Sequence, residues 1–262
     1  MSIYTALAEL ERSGQAGALC TIIRSRGSTP RHQGSKMLVY ADGRINGTVG
    51  GGEIENRIRN EALAVIADGQ SRLLSYDMVN PQAGDPGVCG GTVEVYVEPL
   101  LPRPTVLVIG GGHVGKAVAH LARWLNFRVV VSDDRVEFCT PEANPDAELL
   151  LPVAMAEIPT HLSITPQTYM VLTTRGSAVD VPGLPALLDT PAAYLGIIGS
   201  KRRWLMTRKG LLEAGIAESK LQQVISPIGL ELRAETPEEI AVSIMAEIIM
   251  LRNGGTGLRM KE

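Results

Sequence analysis

Aromatic side chains are scarce in this chain: Phe, Tyr and Trp together make up 4% of its 262 residues. Its cores must therefore be built from Val, Ile, Leu, Ala and Met. Cysteine is equally sparse. Cys20, Cys89 and Cys139 are odd in number, far apart and form no CxxC, which excludes a disulfide framework and fits thiols in a reducing cytosol. The four histidines, His32, His113, His120 and His161, are scattered, so no local spacing points to a zinc site. There is no excess of basic charge either. A net charge of −3 and a pI near 5.9 lack the electrostatic footprint of a nucleic-acid binder. The segment Met1 to Leu10 has no basic stretch ahead of an apolar one, and Glu9, Glu11 and Arg12 interrupt any apolar run, so no signal peptide is expected. No stretch is long enough to cross a bilayer, and the expected location is the cytoplasm. Internal repeats and low-complexity segments are absent.

What is present is ordinary globular material, with 45% apolar and 20% charged residues, in a length that accommodates two domains. Ile3, Leu7 and Leu10 mark a short opening helix over residues 3–13. Ala18 to Ser25 and Lys36 to Tyr40 are predicted strands, the second turning through Asp42 and Gly43 into Ile45. The run Gly47 to Gly52 leads into a helix near Glu53 with an apolar face of Ile54, Ile58, Ala62 and Val65, ended by Gly69. Ser71 to Tyr76 and Thr92 to Glu98 alternate like half-buried strands. Pro99, Pro102 and Pro104 read as a linker, separating a smaller mixed α+β domain over residues 1–99 from a second domain over 105–262.

Beyond the linker the pattern changes. Val106 to Ile109, Val129 to Val131, Leu149 to Leu151, Tyr169 to Thr173 and Tyr194 to Ile198 are continuous apolar runs, as in a parallel sheet covered on both faces. This predicts a Rossmann-like doubly wound α/β domain. Its last helix carries a capping box, Thr236 with Glu239, and Pro237 in the first turn.

A lone GxGxxG is a weak signal, but here Gly110, Gly112 and Gly115 follow a strand, open a helix, and precede Asp133 at the end of the next strand. The glycines would let the backbone approach a pyrophosphate at the helix N-terminus. Asp133, or Asp134 beside it, would accept hydrogen bonds from a ribose, favouring NAD over NADP. The bland alternative is a Rossmann-type turn that binds no nucleotide. His113 lies inside the turn, placed to cap the helix or touch a ligand. Thr173 to Gly176, with Arg175, and Gly199 to Arg203, with Ser200, Lys201 and Arg202, follow two other strands. A cationic cluster opening a helix opposes the dipole unless an anion lies near, although each cation alone also reads as a solvated surface residue. In the first domain Gly50 to Gly52 form a second candidate anion nest, for which a tight turn with surface arginines is an equal alternative. The helix dipole by itself accounts for Glu53 and Glu55. Cys89, flanked by Gly87, Gly90 and Gly91, has the surroundings of an accessible, acidified thiol. Cys20 in its apolar strand reads as inert.

Taken together, these segments give a resemblance that covers almost the whole chain. Arg26 to Arg31, Gly47 to Glu55, Cys89 to Val95, Gly110 to Gly115, Gly196 to Arg202, Pro227 to Leu230 and Ala234 to Ala241 resemble the xanthine dehydrogenase accessory factor family, of the XdhC/CoxI type. The chain departs from the family pattern at Ser177, where a histidine commonly follows the Arg-Gly pair; the downstream aspartate, Asp180, is retained. The resemblance implies a carrier, rather than an enzyme, that binds molybdenum cofactor as molybdopterin or its dinucleotide form. Such a carrier would protect the cofactor and support exchange of an oxo for a sulfido ligand with a cysteine desulfurase. It would then deliver the cofactor to a molybdenum hydroxylase of the xanthine dehydrogenase type. On this reading Cys89 lies at the metal end. Gly110, Gly112, His113, Gly115, Asp133, Arg175, Ser200, Lys201 and Arg202 hold the phosphate or nucleotide end. A homodimer is expected. An NAD-dependent oxidoreductase and an NAD-sensing regulator are the alternatives. No Tyr-x-x-x-Lys pair is present to serve the oxidoreductase.

Overall fold

A computed structural model describes residues 1–78 and 90–260. Cys89 and residues 79–88 lie outside the described residues. The chain divides into two units, Met1–Pro102 and Arg103–Glu262.

In the first unit, α1 (Ile3–Ser13) begins where Ser2 Oγ accepts the Thr5 N–H, and it stops at Gly14 in the left-handed conformation. Strands β1 (Gly17–Arg26), β2 (Lys36–Tyr40) and β3 (Ile45–Gly47) are followed by α2 (Gly52–Asp68). Then come β4 (Arg72–Asp77) and β5 (Thr92–Leu100). They make an antiparallel sheet in the order β3-β2-β1-β5-β4. Ile54, Ile58, Ala62 and Val65 of α2 pack with Cys20, Ile22, Met37, Val39, Val93 and Val95. Leu38, between Met37 and Val39 and so on the opposite face, meets Ala6 and Leu10 of α1. The predicted linker begins later than its first proline suggests. Pro99 is part of β5, opposite Ala18, and β4 begins opposite Val97 and pairs no further toward Pro99. Past that point β5 has one open side, so a residue without an N–H is tolerated there.

The second unit is α/β. Its strands are β6 (Thr105–Ile109), β7 (Arg128–Ser132), β8 (Leu149–Leu151), β9 (Thr168–Leu172) and β10 (Tyr194–Ile197). They form a parallel sheet in the order β10-β9-β6-β7-β8. A short parallel bridge from Gly196 to Ile225 extends it beyond β10. The helices are α3 (His113–Trp124), α4 (Ile158–His161), α5 (Ser177–Gly183), α6 (Pro185–Leu188), α7 (Lys201–Glu213), α8 (Glu218–Leu221) and α9 (Pro237–Asn253). Neighbours on β6 face opposite layers. Val106 and Val108 join Val118, Ala122 and Ile244 of α3 and α9, whereas Leu107 and Ile109 join Ile158, Leu184 and Leu211. Each such fully buried side chain contributes roughly 1.5–3 kcal/mol, which is why these strands are apolar throughout. The capping box of α9 forms as its residue types predict. No helix among the described residues is long and apolar enough to cross a membrane.

Candidate functional site

The three spaced glycines of the turn after β6 do three different things. Gly110 has φ +112°, and a Cβ there would lie 2.6 Å from the Thr173 carbonyl oxygen, so only glycine fits this approach to the end of β9. A Cβ on Gly115 would stand 1.9 Å from the Gly110 oxygen, so the absent side chain lets α3 sit against the turn. Gly112, the N-cap of α3, meets nothing within 4 Å. It is the one position of the three where the backbone faces open space, as approach by a phosphate requires. The turn is braced from outside. Thr173 Oγ1 donates to Gly110 O at 2.6 Å, and Asn144 Nδ2 donates to Gly111 O at 3.2 Å and to Phe138 O at 2.8 Å.

Beside the turn is a cavity of about 260 Å³, beyond the carboxyl ends of β6, β7 and β9. It lies where the strand order reverses, the place at which open α/β sheets bind ligands. Val153, Met155, Val179 and Pro182 supply apolar wall, and Asp133, Asp134, Arg135, Thr174 and Arg175 supply the polar lining. The polar groups are spent largely on one another. Asp133, 4% exposed, accepts the Gly111 N–H at 2.9 Å, the Arg135 N–H at 2.9 Å, and Arg135 Nε and Nη2 at 3.0 and 2.9 Å. Its hydrogen bond holds the Arg135 guanidinium above the usual arginine pKa, and that group lies over the Phe138 ring at 3.8 Å. Asp134 takes both arms of Arg175, at 2.8 and 2.9 Å, and this bonding holds its carboxyl below the ordinary aspartate value. The ribose-accepting role expected of Asp133 thus meets a carboxylate already committed to its own chain.

Of the residues singled out in the sequence, Gly110, Asp133 and Arg175 line this one cavity, with Gly112 and Gly115 in the turn beside it. His113 opens α3 and is exposed. Ser200 caps α7 by accepting the Arg203 N–H at 3.2 Å; Lys201 and Arg202 are exposed, and none of the three lines the cavity. The next cation points inward. Arg203 donates to Thr174 O at 3.0 Å, Thr174 Oγ1 at 2.6 Å and Asp180 Oδ2 at 2.9 Å, and Asp180 is wholly buried. Arg203 therefore ties the loop after β9 to the start of α7. The Pro227 to Leu230 segment is structural as well. Gly229 N–H donates to Glu247 at 2.9 Å and Ser243 Oγ to Leu230 O at 2.6 Å, docking the segment on α9. Tyr194 Oη also donates to Glu247, and burial followed by this carboxylate pushes its hydroxyl far above the usual tyrosine range.

The motif segments of the first unit converge. A Cβ on Gly91 would lie 2.3 Å from Ser28 O, and one on Gly50 would lie 3.5 Å from Pro30 Cβ. The glycine run before α2 is filled from within. One oxygen of Glu55 accepts Thr48 Oγ1, Val49 N–H at 3.3 Å and Gly51 N–H at 3.2 Å. Cys20 and Cys139 are buried, with burial pushing the Cys20 thiol up to about 12 and raising Cys139. Cys89, the sequence candidate for a metal ligand, lies outside the described residues. Among the described residues no group of three His, Cys, Asp or Glu side chains could hold a metal.

Sequence reasoning missed Arg135, Asn144 and the inward turn of Arg203. Arg135 had a signal, since an aspartate two residues ahead of it readily bonds the local backbone. Asn144 had none, because its partners are carbonyls six and 33 residues away.

Comparison with known proteins follows the same division. The model for the XdhC Rossmann domain matches residues 106–248, more than half of the chain, and that for the XdhC and CoxI family matches residues 10–77. Uncharacterized protein YqeB of Escherichia coli (strain K12) is 36% identical over 264 residues, covering 100% of this chain and 48% of that protein. A probable xanthine dehydrogenase subunit of Bacillus subtilis (strain 168) is 31% identical over 62% of this chain and 47% of its own length. The chain thus spans about half the length of these two relatives. The Molybdenum cofactor insertion chaperone PaoD of Escherichia coli (strain K12) is 24% identical over 92% of this chain and 85% of its own. Among solved structures, a xanthine dehydrogenase from Bacillus halodurans shares the fold, with a TM-score of 0.52 and 23% identity over 98% of this chain and 97% of that one.

Proposed function

We propose, from the premise that this chain belongs to the XdhC and CoxI family, that it is an accessory protein of molybdenum cofactor. It would bind the cofactor, protect it, support its sulfuration together with a cysteine desulfurase, and pass it to a molybdenum hydroxylase of the xanthine dehydrogenase type. One observation carries the reading: the glycine turn at the start of α3 leaves bare backbone open to approach at Gly112. Molybdopterin ends in a phosphate, and its dinucleotide form contains a pyrophosphate; both suit a helix N-terminus with a bare backbone. The bound cofactor would supply the molybdenum centre used by the client. This chain's own contribution is to seat the phosphate on the turn and to enclose the adjoining part of the ligand between Met155, Val179 and Pro182. Cys89 is the proposed soft ligand at the metal end. The names of two relatives, a molybdenum cofactor insertion chaperone and a probable xanthine dehydrogenase subunit, support the same assignment.

The same turn also favours a second reading, dinucleotide sensing or NAD-dependent redox chemistry. Among the described residues, the cavity lining contains no His, Lys, Cys or Tyr to exchange a proton with a substrate, so the carrier is placed first.

The test is pterin content after purification from cells that make the cofactor, measured as the fluorescent oxidation product against protein. Near-stoichiometric pterin is expected, and Cys89→Ser should lower its retention without changing the unfolding midpoint. A folded protein devoid of pterin, with cofactor supplied, sinks the carrier reading.

A further inference from the structure

The way the acids at the end of β7 are spent bears on which nucleotide the cavity accepts, granted the reading of the second unit as the phosphate-binding half. A site that prefers an unphosphorylated ribose needs a free carboxylate after its second strand, to accept the ribose hydroxyl and to repel a phosphate there. Asp133 stands in that place. A carboxylate offers about four lone-pair sites, and Asp133 already accepts four donors: the N–H of Gly111, the N–H of Arg135, and Arg135 Nε and Nη2. It has no acceptor left for a ribose, and its charge is matched. Asp134 is matched by Arg175. Two carboxylates and two guanidiniums therefore line the cavity with no net negative charge to turn an anion away.

The two pairs differ in how readily they open. Arg135 is clasped to Asp133 through three nitrogens, its backbone N–H included, and lies over Phe138. Arg175 and Asp134 are 43% and 42% exposed, and their side chains meet through two parallel hydrogen bonds. Exposed pairs of this kind are held weakly. A guanidinium fork fits phosphate as well as it fits carboxylate, in both cases with two parallel hydrogen bonds. Released from Arg175, Asp134 can turn to water at little cost.

We propose that Arg175 is the specificity-determining residue of this cavity. It exchanges Asp134 for a phosphate on the ribose, so that the cavity takes a 2′-phosphorylated nucleotide or dinucleotide in preference to its unphosphorylated counterpart. This reverses the preference that an aspartate after the second strand suggests in the sequence.

NAD⁺ and NADP⁺ differ only in that phosphate and serve as the probes, titrated calorimetrically into the full chain at fixed ionic strength. NADP⁺ should bind more tightly. Arg175→Gln should weaken NADP⁺ about tenfold, the loss of a charge-assisted contact, and leave NAD⁺ nearly unchanged. Asp134→Asn, which frees the arginine, should strengthen NADP⁺ a few-fold; an unfolding curve on each variant checks the fold. Equal affinities, tighter NAD⁺, no binding of either, or a preference that survives Arg175→Gln would each overturn the proposal. Pterin retention in the same preparations reads the underlying assignment separately. Pterin present without a preference for NADP⁺ leaves the carrier standing and removes only the role of Arg175. A preference for NADP⁺ without pterin does the reverse.

Discussion

Gly50 to Gly52 before α2 and Gly110 to Gly112 before α3 are both glycine runs that open a helix, and both gather backbone N–H groups at its positive end. In the first unit the chain provides its own anion. Glu55 reaches back from the first turn of α2 and takes Thr48, Val49 and Gly51 on one oxygen. In the second unit Asp133 takes, of the glycine run, the Gly111 N–H alone, and Gly112 is left facing open space. A glycine loop at a helix start is thus a ligand site only where no side chain within reach already occupies it. The first loop is closed by its own glutamate, and the second is left open at Gly112.

The comparison can be broken most severely at Gly115. Replacing it with alanine puts a methyl 1.9 Å from a backbone oxygen that cannot give way. Such overpacking should cost about 3 kcal/mol or more, seen as a fall in the denaturant midpoint. Glu55→Ala comes next. It leaves a hydroxyl and two amides without their acceptor and should cost about 1–3 kcal/mol. Sulfate should restore part of that loss by entering the emptied nest; a variant indifferent to sulfate would show that the loop is no anion site even when vacated. Gly112→Val should cost no more than about 1 kcal/mol, because no neighbour obstructs it, yet it should abolish pterin retention. Full retention would make the second loop as structural as the first.

The smallest effect concerns Arg175→Gln and pH. Asp134 has its folded pKa lowered, chiefly by the hydrogen bond from Arg175. The stability this contributes is present above the unfolded aspartate value and is lost as pH falls through the folded one. Wild type and variant should therefore differ slightly in thermal midpoint at neutral pH and converge in acid. A difference that persists or grows in acid would show that Arg175 acts through something other than Asp134.

Much of this molecule is legible along the chain because its signals are local. The αL glycine Gly69 after α2, the capping box of α9 and the apolar runs of β6 to β10 each involve residues within a few positions of one another or a single repeating pattern. The fingerprint Gly110, Gly112 and Gly115 is of the same kind. Pro99 misled because a strand accepts a proline beside an open edge, where no partner strand needs the missing N–H, and β4 does not reach it. Arg203 reads as one of three surface cations until Asp180 and Thr174, 23 and 29 residues upstream, are found beside it.

By itself, then, the sequence determined most of the strands, helices α1, α2, α3 and α9 and the glycine turn, since backbone preference and burial period are written in neighbouring residues. The tertiary structure alone decided which charges are available. Asp133 and Glu55 look in sequence like a free ribose acceptor and a simple dipole partner. Each is instead consumed by donors that folding brings within 3.3 Å. Availability depends on the count of donors around a carboxylate, and that count exists only once the local turns have formed and, for Asp133, Gly111 has come up from 22 residues away.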